Sequence, residues 1–316
     1  MTTGGLEAMR GKDGRPARFP PTGTRRPEMD DWLNTRIYHP LSVRIAYGLA
    51  STPVTPNMIS LAGGAMIVLA GFLYVGISWP LSAALGFLAH AAWHVLDGAD
   101  GDLARLTGRA SPVGELVDGL CDYIGHALLY VFLGWHLAPW LGMWAWIIGW
   151  VSGLCRAVQA NHAESLRRTY LWRGYGVPWL KQSVDGGKSA PAPGRFARIM
   201  APVVRAYVAL ASAGSPLSPR IDSLIARASR TPEGAERARR ICREASRVPL
   251  RLQTVLGANW RTVALALSMA AGSPLWFFLL EIVGFNLLLL ASLLTQRAAD
   301  RRIVERLEAN AALLGE

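Results

Sequence analysis

The distribution of positive charge constrains this chain more than any other feature. Lys and Arg fall in four blocks, residues 10–44, 105–109, 156–261 and 297–306, and none lies in 45–104, 110–155 or 262–296. The cation-free stretches are the apolar ones. Half of the residues are hydrophobic, yet the formal net charge is +11. Membrane helices joined by basic loops gathered on one side give this pattern. A basic protein can also bind nucleic acid, but no groove-reading motif accompanies the charge and no nucleic-acid partner is expected. The Arg-rich loops fit better against anionic lipid head groups.

A bilayer core needs about 20 apolar residues per helix. Six segments meet that need or approach it: Met58 to Ile77, Leu81 to about Arg105, Pro112 to about His136, Pro139 to about His162, Asn259 to Gly272 and Leu275 to Leu294. The corners at 77–80, 136–139 and 272–274 carry no cations, whereas the loops on the opposite side carry all of them. The positive-inside rule therefore predicts that both termini, the 105–111 turn and the 164–257 stretch are cytoplasmic, with a bacterial inner membrane as the expected setting.

The expected architecture is an all-α integral membrane protein. It has six transmembrane helices, an N-terminal interfacial amphipathic helix over residues 30–50 and a cytoplasmic helical insertion between helices 4 and 5. The expected divisions are a disordered tail at 1–29, a site-bearing region at 30–165, a basic insertion at 166–257, helices 5 and 6 at 258–297 and a C-terminal tail at 298–316. Within the insertion, Arg195 to Ala213 is expected to be helical, and Ala226 to Arg247 is too charged to span. The polar, Pro-rich first 35 residues read as a cytoplasmic tail rather than a signal peptide. Cys121, Cys155 and Cys242 have no spacing that suggests a disulfide framework or a zinc site.

The chemistry concentrates in residues 94–126, HVLDGADGDLARLTGRASPVGELVDGLCDYIGH. Asp97 and Asp100 are spaced i, i+3, and Asp118 and Asp122 i, i+4, so each pair shares a helix face. The turn Thr107 to Ser111 reverses the chain, Ser111 can cap the next helix, and Pro112 suits its first position. Such a hairpin brings the two acidic faces together. Four carboxylates cannot converge near a membrane uncompensated: each charge at mid-bilayer costs about 3 kcal/mol, and mutual repulsion adds to that. Two divalent cations would cancel them, and an oxygen-only ligand set without Cys favours Mg²⁺ or Mn²⁺. Paired metals about 4 Å apart serve phosphoryl chemistry. Gly101, Ala104 and Gly114 keep the facing surfaces open, and Arg105 can hold a phosphate oxygen.

These residues resemble the CDP-alcohol phosphotransferase (CDP-alcohol phosphatidyltransferase) family, whose signature is D-x2-D-G-x2-A-R-x7or8-G-x3-D-x3-D. Asp97, Asp100, Gly101, Ala104, Arg105, Gly114, Asp118 and Asp122 meet it without a mismatch. Thr55-Pro56-Asn57 before the first span and the six-helix layout extend the likeness. The resemblance implies a homodimer with a cytoplasmic-face site and two Mg²⁺ or Mn²⁺ ions held by Asp97, Asp100, Asp118 and Asp122. It also implies Asp122 as general base and a CDP pocket lined by Gly101, Ala104, Arg105 and Gly114. The implied reaction is attack of a hydroxyl acceptor on a CDP-alcohol such as CDP-diacylglycerol, with release of CMP, in phospholipid synthesis.

The acceptor is not fixed by these residues. Ser111 to Leu116, with Asp118 and Cys121-Asp122, is similar to the choline and ethanolamine phosphotransferases, but Gly119 stands where those carry His. Asp100 to Tyr123 is similar to the inositol-phosphate branch. His126, one turn beyond Asp122, and Arg156, in the fourth span, are candidate acceptor contacts. His90, His94, Glu115, Asp102 and Glu281 are further polar residues in or beside the spans. A cation transporter would also place acids in a membrane, but such proteins tend to show inverted repeats and broken helices, and the chain has no internal repeat.

Overall fold

A computed structural model describes residues 26–177 and 215–310. The expected helix at Arg195 to Ala213 and most of the expected tails lie outside these residues. Among the described residues the secondary structure is entirely helical. The helices are α1 His39–Leu49, α2 Pro56–Gly76, α3 Leu81–Leu106, α4 Pro112–Leu141, α5 Met143–Tyr175, α6 Ser218–Ala228, α7 Pro232–Ala245, α8 Arg247–Val255, α9 Ala258–Ala270, α10 Leu275–Leu279 and α11 Phe285–Ala309. A π-helical turn, Asn34–Tyr38, leads into α1, and another, Leu280–Gly284, joins α10 to α11.

Among the described residues, three helical stretches are long and apolar enough to cross a membrane: Pro56–Gly76, Val113–Leu141 and Leu275–Ala309. Each of the other three expected spans is also helical but differs in kind. Helix α9 has 13 residues, about 20 Å of rise, which is shorter than a bilayer core. Helices α3 and α5 mix apolar turns with charged ones at their C-terminal ends. The corner expected at 136–139 falls instead at Gly142, whose φ of 54° only glycine adopts readily. Pro139 lies inside the last turn of α4.

The chain divides into two compact units. One comprises the described residues up to Gly153 together with Ala258–Leu280, and the other Leu154–Gly257 with the chain from Glu281 onward.

In the first unit, the helix starts follow the sequence closely. Thr55 and Ser111 are extended residues whose hydroxyls accept from the backbone N–H of Met58 and Gly114, each with Pro at the following position. The core joins α2, α3, α4 and α9 through Ile67, Tyr74, Trp93, Leu129, Leu133 and Leu265. Helices α2 and α4 pack backbone to backbone at Gly64 and Gly125, where an added Cβ at 125 would lie 2.9 Å from Ile67 Cδ1 and 3.2 Å from the Gly64 carbonyl oxygen. Helix α1 is fastened to α3 by a hydrogen bond from the Ser42 hydroxyl to the Val95 carbonyl, 2.7 Å. Leu61, Phe72, Leu120, Ile124 and Trp135 point outward from α2 and α4. Helices apolar on both faces belong in lipid.

In the second unit, α6 and α7 pack on the C-terminal part of α11 through Ile221, Leu224, Ala238, Ile241, Ile303 and Leu307. An ion network is enclosed there. Arg173 donates to Asp300 Oδ1 and Ser218 Oγ, both at 2.8 Å, and the Ser215 hydroxyl donates to the second Asp300 oxygen. Glu281, in the π turn, is fully buried with Arg156 Nη1 4.0 Å from Oε1, and Gln159 donates to its backbone carbonyl at 3.1 Å.

Candidate metal centre

The hairpin of α3 and α4 builds the acidic site. Gly108, with φ of 66°, turns the chain after α3, and Ser111 caps α4, so Asp97 and Asp100 come to face Asp118 and Asp122. Carboxylate oxygens of Asp97, Asp118 and Asp122 lie within 4.8 Å of one another, and all three residues are half-buried. Two oxygens bound to one Mg²⁺ at 2.0–2.1 Å can be at most about 4.2 Å apart, so small side-chain rotations suffice to close this group on a hard divalent ion. The donor set is oxygen only, which suits Mg²⁺ or Mn²⁺ better than zinc.

Asp100 is placed differently. It is buried, and its Oδ2 accepts from the Ser60 hydroxyl on α2. It is not one of the three acids whose oxygens meet within 4.8 Å. Asp122 Oδ1 accepts from the indole N–H of Trp93 at 2.6 Å.

Around the acids, the small residues hold specific neighbours. The space over Gly101 is filled by Arg105, whose Nη1 would be 3.2 Å from an added Cβ. Arg105 Nη2 donates to Asp102 Oδ1 at 2.6 Å, and Asp102 is fully buried. Arg105 Nε is buried and makes no hydrogen bond to a described residue. At Gly114 an added Cβ would meet the Ser111 hydroxyl at 3.3 Å and Asn57 Oδ1 at 3.6 Å, so the glycine admits both the cap and the first turn of α2.

Of the outlying candidates, His126 is buried beside the acids, with Nδ1–H donating to the Asp122 carbonyl at 2.8 Å and its ring edge-on to Trp93. His94 stacks on Tyr38 and lies 2.8 Å from Thr262 Oγ1. Arg156 belongs to the second unit, where it faces Glu281. The sequence reading missed Trp93 and Ser60, and gave Asn57 only as part of the Thr55-Pro56-Asn57 opening of the first span, not as a neighbour of the site. Trp93 is i−4 from Asp97 and Ser60 is i+3 from Asn57, helical spacings that place them on the site's faces once the site is known.

A helical membrane domain with an acidic hairpin is thus the class that fold and site define. Residues 53–179 match the family model of the CDP-alcohol phosphatidyltransferases, and that segment contains all eight signature positions. That family transfers a phosphatidyl group from a CDP-alcohol to an alcohol acceptor and generally uses divalent metals. The match and the three apolar helices both point to a membrane protein. No curated protein matches the chain.

Proposed function

We propose that the protein is a membrane transferase of phospholipid synthesis that moves a phosphatidyl or phospho-alcohol group from a CDP-linked donor to a hydroxyl acceptor and releases CMP. The observation that carries this reading is the meeting of Asp97, Asp118 and Asp122 oxygens within 4.8 Å on one hairpin. Asp97, Asp100, Asp118 and Asp122 hold two Mg²⁺ or Mn²⁺ ions. Bound there, the ions would neutralise the donor diphosphate and the charge gathering on the departing CMP. Asp122 accepts the proton of the acceptor hydroxyl. The freed oxygen attacks the phosphorus bearing the alcohol, and the bond from that phosphorus to the CMP oxygen breaks. Gly101, Ala104, Arg105 and Gly114 line the CDP side. The buried Arg105 Nε, which lacks a partner among the described residues, supports a role for Arg105 as a phosphate ligand. His126, one turn beyond Asp122, is the acceptor-side candidate in this unit. The site faces the cytoplasm in this reading, with the basic loops on the anionic leaflet.

The test is CMP release by the full-length protein in lipid. Donors are CDP-diacylglycerol, with glycerol 3-phosphate, serine, inositol or inositol phosphate as acceptor, and CDP-choline with diacylglycerol. Release from one pair is expected, abolished by chelation, restored by Mg²⁺ or Mn²⁺, and reduced roughly 10²- to 10⁴-fold in Asp122→Asn. Silence with every pair, or release that survives chelation, would overturn the reading.

A further inference from the structure

Trp93 is an unusual neighbour for a metal centre. Its indole N–H is a donor only, cannot be deprotonated at any physiological pH, and lies 2.6 Å from Asp122 Oδ1. The ring is almost fully buried and closely confined: His126 meets it edge-on at 4.5 Å between ring centroids, and His94 lies against it at 4.3 Å. Gly63 of α2 comes close as well, since a Cβ there would touch the indole Cδ1 at 3.5 Å. A ring so held can neither rotate nor withdraw. It presents its N–H at one fixed point, and that point is an oxygen of one of the three clustered acids. Trp93 also lies one helical turn before Asp97 on α3, so the contact ties the Asp97-bearing helix to the Asp122 carboxylate across the hairpin.

We infer that Trp93 is the positioning residue of Asp122: its indole N–H fixes the rotation of the carboxylate, keeping one oxygen toward the ring and directing the other away from it. The inference rests on the proposed role of Asp122 as metal ligand and base. A carboxylate that turns freely divides its time among orientations, and only one of them is useful both to an ion and to a hydroxyl. An uncharged donor fixes that orientation without competing for the ion. A Lys or Arg in the same place would add a positive charge beside the centre. Hydrogen-bonded partners of metal ligands elsewhere contribute roughly 10- to 100-fold to affinity or activity.

The test uses full-length protein in lipid nanodiscs, with Mn²⁺ binding followed by the free-ion electron paramagnetic resonance signal and CMP release followed separately. Trp93→Phe keeps an aromatic ring and removes the N–H. It is expected to weaken Mn²⁺ binding and lower kcat, each by roughly 10- to 100-fold, with KM for the CDP-linked donor within about twofold. Trp93→His places Nε2–H where the indole N–H stood and is expected to recover most of both losses. Added to Asp122→Ala, Trp93→Phe is expected to leave Mn²⁺ affinity where Asp122→Ala alone puts it. Parental Mn²⁺ affinity and turnover in Trp93→Phe would overturn the inference. So would a further loss of Mn²⁺ affinity on top of Asp122→Ala, because the effect would then not pass through Asp122. A measurement on the parent protein does not depend on the folding of Trp93→Phe: its Trp93 indole proton resonance is expected downfield and to move upfield in Asp122→Ala, and a fixed position would overturn the contact. Asp97→Asn separates the two levels. If it abolishes Mn²⁺ binding while Trp93→Phe behaves as the parent, Trp93 alone is misassigned. If Asp97→Asn binds Mn²⁺ and turns over normally, the site reading fails and the Trp93 inference with it.

Discussion

At the scale of single residues, the centre is organised by uncharged or paired donors at the backs of its acids. Ser60 donates to Asp100, Trp93 to Asp122, and Asp102 holds the Arg105 guanidinium folded over Gly101. The last arrangement makes Asp102 a residue that acts through Arg105. A hydrogen bond to a charged group contributes about 1.5–3 kcal/mol, against about 0.5–1.5 for a neutral one. Asp102→Asn keeps the shape and removes the charge. It should therefore raise KM for the CDP-linked donor roughly tenfold with kcat nearly unchanged. Steady-state CMP release at varied donor concentration checks it, and a fall in kcat at constant KM would place Arg105 away from the donor. The meeting of Asp97, Asp118 and Asp122 was legible in the sequence because helical spacing and the turn at Thr107 to Ser111 bring those faces together, whereas the separate placement of Asp100 was not. Ser60 and Trp93 were not, because a serine or tryptophan in an apolar helix is ordinarily lipid-facing or core, and only the packing of α2 on α3 and of α3 on α4 gives these two their carboxylate partners.

At the scale of elements, the acidic hairpin depends on how closely its neighbour α2 can approach. Gly64 and Gly125 let α2 and α4 touch through their backbones, and Ile67, fully buried, fills the remaining space. Gly125→Ala puts a methyl group 3.1 Å from Ile67 Cβ and 3.2 Å from the Gly64 carbonyl oxygen, neither of which can swing away. Overpacking of this kind costs about 1–3 kcal/mol. The variant should unfold at lower temperature in detergent and bind Mn²⁺ more weakly, since the helices must separate beside the acids. Unchanged melting and binding would show that the seam has slack. The element boundaries show where sequence reasoning stops. Thr55-Pro56 and Ser111-Pro112 marked helix starts because capping is local chemistry. The end of α4 was misplaced to 136–139, since a Pro in a final turn gives up only one hydrogen bond and Gly142, with its positive φ, is the true stop. The π turn at Leu280–Gly284 had no marker, because one extra residue in a helical turn is stabilised by partners from elsewhere, here Gln159 on the Glu281 carbonyl and on Asn286 Oδ1.

At the scale of the whole molecule, the second unit offers a measurement of its own integrity. Its helices α6, α7 and α11 close over the Arg173–Asp300 pair, with both residues almost fully buried. Cys242 of α7 is buried in the same unit, and burial pushes its thiol up to about 12. A raised thiol pKa means that the protonated form persists at every pH below that value. At pH 8 the native protein thus offers neither a thiolate nor access, and a thiol reagent labels Cys242 only when the unit opens. Removing one partner of a buried ion pair costs about 3–5 kcal/mol where the other charge is left stranded, and Asp222, whose Oδ1 lies 3.6 Å from Arg173 Nε, offsets part of that. In a Cys121→Ser, Cys155→Ser background, Asp300→Ala should therefore speed labelling of Cys242 by roughly two to three orders of magnitude, provided reclosing outpaces the reagent. Replacing both partners with apolar residues, Arg173→Met with Asp300→Leu, leaves no stranded charge in the buried pair, only the partly exposed Asp222, and should return labelling close to the parental rate. Fast labelling in the parent would mean that the unit is open without any substitution. Equal rates in the parent and in Asp300→Ala would mean that the pair does not hold it closed.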